Sequence, residues 1–206
     1  MIAIVDYGMG NLRSVEKALE KVGAEIEITS DADRAAEADG LVLPGVGAFP
    51  KAMERIEALG LDQMIAARVR EWTPVLGICL GHQLLFESST ELGGARGLGL
   101  LAGAVTELEA GALKLPHIGW EPMRIERESE LTAEVADETP FYFVHSFAPR
   151  PAEEAIAIGT AAHGARFAAA VAAPPVYGVQ FHPEKSSAAG LRLLENFARI
   201  CAPVAV

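Results

Sequence analysis

Val75-Leu76-Gly77-Ile78-Cys79-Leu80-Gly81-His82-Gln83 runs from an apolar strand-like stretch into a helical pattern through a cysteine bracketed by glycines. A Gly-x-nucleophile-x-Gly turn of this kind lifts one side chain onto a tight strand-to-helix bend. The glycines permit close backbone approach, and the helix N-terminus favours a negative charge. For cysteine the gain is a thiolate at neutral pH. A free cysteine is more often inert core. The bracket argues otherwise, and so does the arrival of His182 and Glu184 together near the far end of the chain.

Outward from this stretch, apolar runs alternate with amphipathic ones. Ile2 to Val5 reads as a strand, Asp6 to Asn11 as a turn, and Leu12, Val15, Leu19 and Val22 as one face of a helix. Glu25 to Thr29, Leu41 to Leu43 and Val75 to Ile78 read as further strands, with helical patterns at Ala52 to Leu59 and Leu61 to Val69. Strands alternating with helices predict an α/β fold around a parallel sheet. After Leu100 the texture changes to short runs, Ala104 to Leu108, Met123 to Ile125, Phe141 to Val144, Ala155 to Gly159 and Val176 to Phe181, which predict antiparallel strands in the C-terminal half. Ser186 or Ser187 is placed to cap a last helix carrying Leu191, Leu194, Phe197 and Ala198.

The chain has 206 residues, half of them hydrophobic, which fits a single domain over 1–206. A net charge of -11 with no basic cluster argues against nucleic acid or an anionic membrane as partner. Two cysteines, Cys79 and Cys201, do not make a disulfide framework, and no stretch is long and apolar enough for a signal or a membrane span. The expectation is a cytoplasmic protein.

At the end of a strand, residues 182 and 184 share a face with Cα atoms roughly 6.5 Å apart. Glu184 can then orient the imidazole of His182, which serves Cys79 first as base and then as acid. No His-x-x-x-His or Cys-x-x-Cys spacing gathers His82, His117, His145 and His163, so no metal is expected. Thiolate attack on a carbonyl creates an oxyanion. Leu80 N–H is one natural donor to it, and the loop Pro44-Gly45-Val46-Gly47 offers a second, although such a loop taken alone more often means only a tight turn. Glycines at Gly8 and Gly10 tempt a dinucleotide reading, but Arg13 occupies the third glycine position, so no cofactor is expected. His145 and Ser146 are adjacent on a strand and face opposite ways, which favours a structural or interface role.

The nucleophile segment, the Pro44 to Gly47 loop and Gly178-Val179-Gln180-Phe181-His182-Pro183-Glu184-Lys185-Ser186 together resemble the class I (triad) glutamine amidotransferases. That resemblance implies a three-layer, flavodoxin-like fold with a central mostly parallel sheet. It also implies a triad of Cys79, His182 and Glu184, an oxyanion site bordered by Val46 and Leu80, and substrate glutamine held near Gln83. Asp6-Tyr7-Gly8-Met9-Gly10-Asn11, Pro116-His117-Ile118-Gly119-Trp120 and Tyr142-Phe143-Val144-His145-Ser146 are similar to the histidine-biosynthesis branch. The partner it implies is a separate (β/α)₈ cyclase subunit in a heterodimer. Ammonia released from glutamine would pass to that subunit and enter imidazole glycerol phosphate, with Asn11, Trp120 and Lys185 at the interface or ammonia passage. Without that resemblance the favoured readings of these three are a helix cap for Asn11, a core residue for Trp120 and a solvated charge for Lys185. His82, familiar at its place in other triad amidotransferases, keeps a second reading open, a glutaminase serving aminobenzoate or pyridoxal phosphate synthesis; a third, a silent binding subunit that keeps the fold for interaction, has the intact Cys79, His182 and Glu184 against it.

Overall fold

The computed structural model describes residues 1–202; the last four residues of the expected domain span lie outside them. Its first half follows the expected alternation: β1 (Ile2–Val5), α1 (Leu12–Lys21), β2 (Ile26–Thr29), a short α2 (Ala32–Ala36), β3 (Gly40–Gly45), α3 (Phe49–Ala58), α4 (Leu61–Arg70), β4 (Val75–Cys79) and α5 (Leu80–Leu84). Helix α2 was not anticipated. Asp31 starts it by accepting hydrogen bonds from the N–H groups of Asp33 and Arg34.

The second half contributes β5 (Phe86–Ser89), β6 (Ala95–Arg96), β7 (Leu101–Glu107), β8 (His117–Ile125), β9 (Thr139–His145), β10 (Phe147–Pro151), β11 (Ala157–His163), β12 (Ala165–Ala173), β13 (Val176–Val179) and α6 (Ser187–Ile200). A nine-stranded sheet runs β2-β1-β3-β4-β13-β12-β11-β8-β9. Its pairings are parallel from β2 to β13 and antiparallel from β13 to β9. A second, four-stranded sheet runs β10-β7-β5-β6.

Alternation along the strands sends side chains to two cores. Ile2, Ile4, Leu76, Ile78 and Val179 pack with Val15 and Leu19 of α1 and with Leu193, Leu194 and Phe197 of α6. Ala3, Val5, Leu41, Leu43 and Val75 pack with Phe49, Met53 and Ile56 of α3 and with Leu61 and Ile65 of α4. This is the three-layer arrangement.

Three sequence expectations need correction. Strand β3 continues through Pro44 and Gly45, so only Val46 and Gly47 of the expected loop lie beyond it. Pairing of β3 with β1 ends at Val42, whereas pairing with β4 continues to Gly45 and Cys79, so the missing N–H of Pro44 breaks no bond toward β1. Strand β13 stops at Val179, two residues before the expected end. The run from Ala155 begins as a 3-10 turn, Glu154–Ile156, before β11.

The C-terminal strand β13 inserts beside β4, with Gly77 opposite Gly178 and Ile78 opposite Val179. That glycine pair lets α5 settle onto the backbone of both strands. A Cβ on Gly77 would come within 2.7 Å of the His82 Cα, and one on Gly178 would strike the His82 ring. Gly178→Ala is therefore expected to destabilise the protein by about 1–3 kcal/mol through overpacking. The urea midpoint of the variant measures this.

Candidate active site

Cys79 is the last residue of β4 and the N-cap position of α5, with φ 54° and ψ −108°. A non-glycine residue rarely holds positive φ, and such strain persists only where the surroundings impose it. Here the restraint comes from Gly81, where any Cβ would collide with the Leu43 carbonyl oxygen of β3. The bend leaves the thiol only 6% exposed, at a cleft of about 280 Å³.

His182 and Glu184 reach the same place by a route different from the one expected. They follow β13 as the N-cap position and the middle of a 3-10 turn, Pro183–Lys185, instead of sharing the face of a strand. The turn brings His182 Nδ1 to 2.9 Å from Glu184 Oε1. His182 N–H donates to the Tyr142 carbonyl. Ser186 was expected to cap the last helix and does occupy its N-cap position, but its side chain makes no capping bond. Its hydroxyl donates to the His182 carbonyl and accepts from Tyr142 N–H, clamping the imidazole's backbone to β9.

Burial pulls the His182 imidazole down, but Cys79 and Glu184 on its two sides outweigh burial and raise it to about 9. The Glu184 side chain is almost fully buried, and its second oxygen has no hydrogen-bond partner. Among the described residues His182 is the one basic side chain paired with this carboxylate, so the pair favours protonated His182 at neutral pH. Cys201, the other cysteine, has a contrasting environment: burial pushes its thiol up to about 12.

The cleft is lined by Val46, Gly47, Cys79, Leu80, Gln83, His182 and Lys185, among others. It thus unites most of the expected site. Leu80 opens α5, with its N–H next after the cysteine. Val46 is 44% exposed, and Gly47 has φ +109°, a conformation that suits glycine. Gly45 lies behind the cleft, paired with Cys79 across β3 and β4; a Cβ there would meet the Tyr7 hydroxyl, which donates to the Pro44 carbonyl at 2.7 Å. Gln83 Nε2 donates to Phe147 O at 2.9 Å and to Gln180 Oε1 at 3.2 Å.

Asn11 and Trp120 lie outside the cleft lining. Asn11 is exposed at the N-cap position of α1 but makes no side-chain cap bond. Trp120 is 50% exposed on β8 against Tyr142, so it is not a core residue. Lys185 is exposed at the cleft rim. Sequence reading missed Tyr7, the clamping role of Ser186, and Gln180. A polar residue inside the apolar run Val176 to Phe181 was the available signal for the last. Among the described residues no helix is long and apolar enough to cross a membrane.

The family model for glutamine amidotransferase class-I matches residues 3–201. The chain is 47% identical to the imidazole glycerol phosphate synthase subunit HisH of Moorella thermoacetica, over 97% of this chain and 94% of that one. It is 48% identical to the subunit of the same name from Aquifex aeolicus, over 95% of each. Among solved structures, PurLQS from Thermotoga maritima shares the fold, with a TM-score of 0.75 at 19% identity over 97% of both chains. The chain belongs to the class I glutamine amidotransferases.

Three residues after Cys79, His82 is fully buried with neither ring nitrogen hydrogen-bonded. Burial, with a smaller contribution from His145, pushes it down to about 3. Burial likewise brings His145 to about 3 and His117 to about 4. In the unfolded chain these groups take up protons near 6.5, while in the folded protein they do not. Their stabilisation is therefore complete above pH 6.5 and is lost as pH falls toward 3. The raised value of His182 acts in the opposite sense, its contribution being complete below 6.5 and fading as pH rises through 9. The urea midpoint is expected to fall steadily from pH 6.5 to 4. His82→Met, which removes two orphaned ring nitrogens, is expected to raise the midpoint at pH 7 and flatten that fall.

Proposed function

We propose that this chain is the glutaminase subunit of an imidazole glycerol phosphate synthase, hydrolysing glutamine and handing the ammonia to a separate (β/α)₈ cyclase subunit in histidine biosynthesis. The observation that carries the reading is an imidazole held between a strained cysteine and a buried carboxylate at the wall of a small cleft. The near-full-length identity to HisH subunits supports the branch.

In this mechanism the Cys79 thiolate attacks the side-chain carboxamide carbon of glutamine. The C–S bond forms as the C=O electrons move to oxygen, and the oxyanion is met by Leu80 N–H and a donor from the Val46-Gly47 peptide. The tetrahedral adduct collapses as its C–N bond breaks. Protonated His182 supplies the proton that lets nitrogen leave as ammonia, giving a γ-glutamyl thioester. Neutral His182 then takes a proton from water. The resulting hydroxide attacks the thioester, and glutamate leaves with the thiolate and imidazolium restored. With both Nε2 hydrogens committed, Gln83 offers its carbonyl oxygen to the substrate's α-ammonium.

Ammonia is a nucleophile only while unprotonated, and bulk water near neutral pH would protonate most of it. Direct transfer to the partner avoids this. Exposed Asn11, Trp120 and Lys185 are assigned to the partner surface or the mouth of the ammonia passage. An uncoupled glutaminase would waste glutamine. We assign the coupling to the Val46-Gly47 peptide, which partner binding shifts into the donating orientation.

Glutamate release by the purified chain, alone and with the cyclase subunit and its nucleotide ligand, tests the reading. Strong stimulation is expected; a rate indifferent to the cyclase would point to a different acceptor synthase, and no rate under either condition to a silent subunit. Cys79→Ala is expected to abolish release. Gly47→Ala, strained at φ +109° and pressed toward Met9, is expected to lower the stimulated rate by about tenfold or more. Deprotonation of His182 removes both the acid and the thiolate's counterion, so the stimulated rate is expected to fall as pH rises through 9.

A further inference from the structure

From the Gln83 side chain at the cleft wall, two glutamine side chains form a hydrogen-bonded line ending at Cys79. Gln180 is completely buried between Gln83 and Cys79. Its Oε1 lies 3.2 Å from Gln83 Nε2, and its Nε2 lies 3.8 Å from Cys79 Sγ, at the long end for a sulfur acceptor. The direction of the line is fixed at its far end. Phe147 O is a backbone carbonyl and only accepts, so both groups that meet it must donate: Gln83 Nε2 at 2.9 Å and His145 Nδ1 at 2.9 Å. Gln83 therefore turns its amino group toward Gln180, which must answer with its oxygen and point its own amino group at the sulfur. His145, whose Nε2 is 3.2 Å from His117 Nδ1, steadies the same carbonyl from the other side. Reversing the Gln180 amide would oppose its oxygen to the thiolate and its amino group to that of Gln83.

The sulfur has a competing contact. Val144 O lies 3.8 Å away and can accept an S–H bond from the neutral thiol, whereas it repels a thiolate. Gln180 Nε2 has the opposite preference, because a donor favours the anion. We propose that Gln180 is a further residue of the active site, whose side-chain N–H holds the Cys79 sulfur as the thiolate and away from the Val144 carbonyl, both before attack and when the thioester releases it. The inference rests on Cys79 being the nucleophile assigned above. It adds to the sulfur a donor that is separate from the His182–Glu184 pair.

Alkylation of Cys79 by iodoacetamide, followed by peptide mass spectrometry on the purified full chain, tests this without glutamine, partner or turnover. A chain that alkylates normally but releases no glutamate would defeat the glutaminase reading and leave this result standing. Gln180→Met keeps the length of the side chain and removes the donor. Expected are an alkylation rate at pH 7 lower by about tenfold and a pH midpoint of alkylation moved upward, with a far-ultraviolet spectrum like that of the parent. If Gln180→Met does not fold, Gln180→Glu, with the same shape and an acceptor facing the sulfur, is expected to give the same two changes. A folded variant that keeps the parent's rate and midpoint would overturn the proposal, because loose packing alone exposes the thiol and speeds its alkylation.

Discussion

The parallel pairing of β4 with β13 is the constraint on which the site depends. These strands lie almost a hundred residues apart in the sequence, and their register sets Gly77 against Gly178 and Ile78 against Val179. One residue beyond Ile78 stands Cys79, and three beyond Val179 stands His182. Any slip in register would separate Cys79 from His182, and a one-residue slip would also turn every side chain of β13 to the wrong core. The paired glycines matter because they let α5 sit directly on the two strands. That close seat forces the backbone at Cys79 into its unusual conformation and brings the first N–H of α5 to the cleft.

Strain and buried charge are concentrated at this junction. Cys79 holds positive φ, Glu184 keeps an unpartnered oxygen, and His82 keeps two unpartnered nitrogens. Each costs stability locally, and the apolar layers on both faces of the sheet offset the cost. In the proposed mechanism Cys79 and Glu184 use it: the bend presents the sulfur, and the isolated carboxylate favours an imidazolium. His82 gains no hydrogen bond, and its ring serves to fill the space above the glycine pair and to meet Phe86 edge-on. The polar groups around Cys79 thus differ in kind, some placed to hold charge and one tolerated for its shape.

Much of this was legible in the sequence. The β-α alternation of the first half, the glycine-bracketed cysteine and the His-x-Glu pair are local patterns, and each corresponds to an element or contact in the folded protein. What was not legible depends on tertiary placement. Strand β12, Ala165–Ala173, is mostly alanine and carries neither alternation nor β-branched density, yet it lies inside the large sheet because β11 and β13 flank it. The His182–Glu184 contact was anticipated from strand geometry and is made by a 3-10 turn, since β13 ends early and the chain then bonds to Tyr142 of β9. Ser186 has the residue type of a helix cap, but its hydroxyl is used by His182 and Tyr142 instead. Gln180 lies two residues from the histidine in an apolar run, and only the fold reveals that Gln83, 97 positions earlier, is its partner.

The most direct test of the account is to treat the chain, in complex with the cyclase subunit, with a γ-electrophilic glutamine analogue and to map the modified residue by peptide mass spectrometry. The account predicts a single stoichiometric adduct on Cys79, formed more slowly when His182 is replaced by alanine, with Cys201 untouched. No adduct on Cys79, or equal labelling of Cys79 and Cys201, would contradict it.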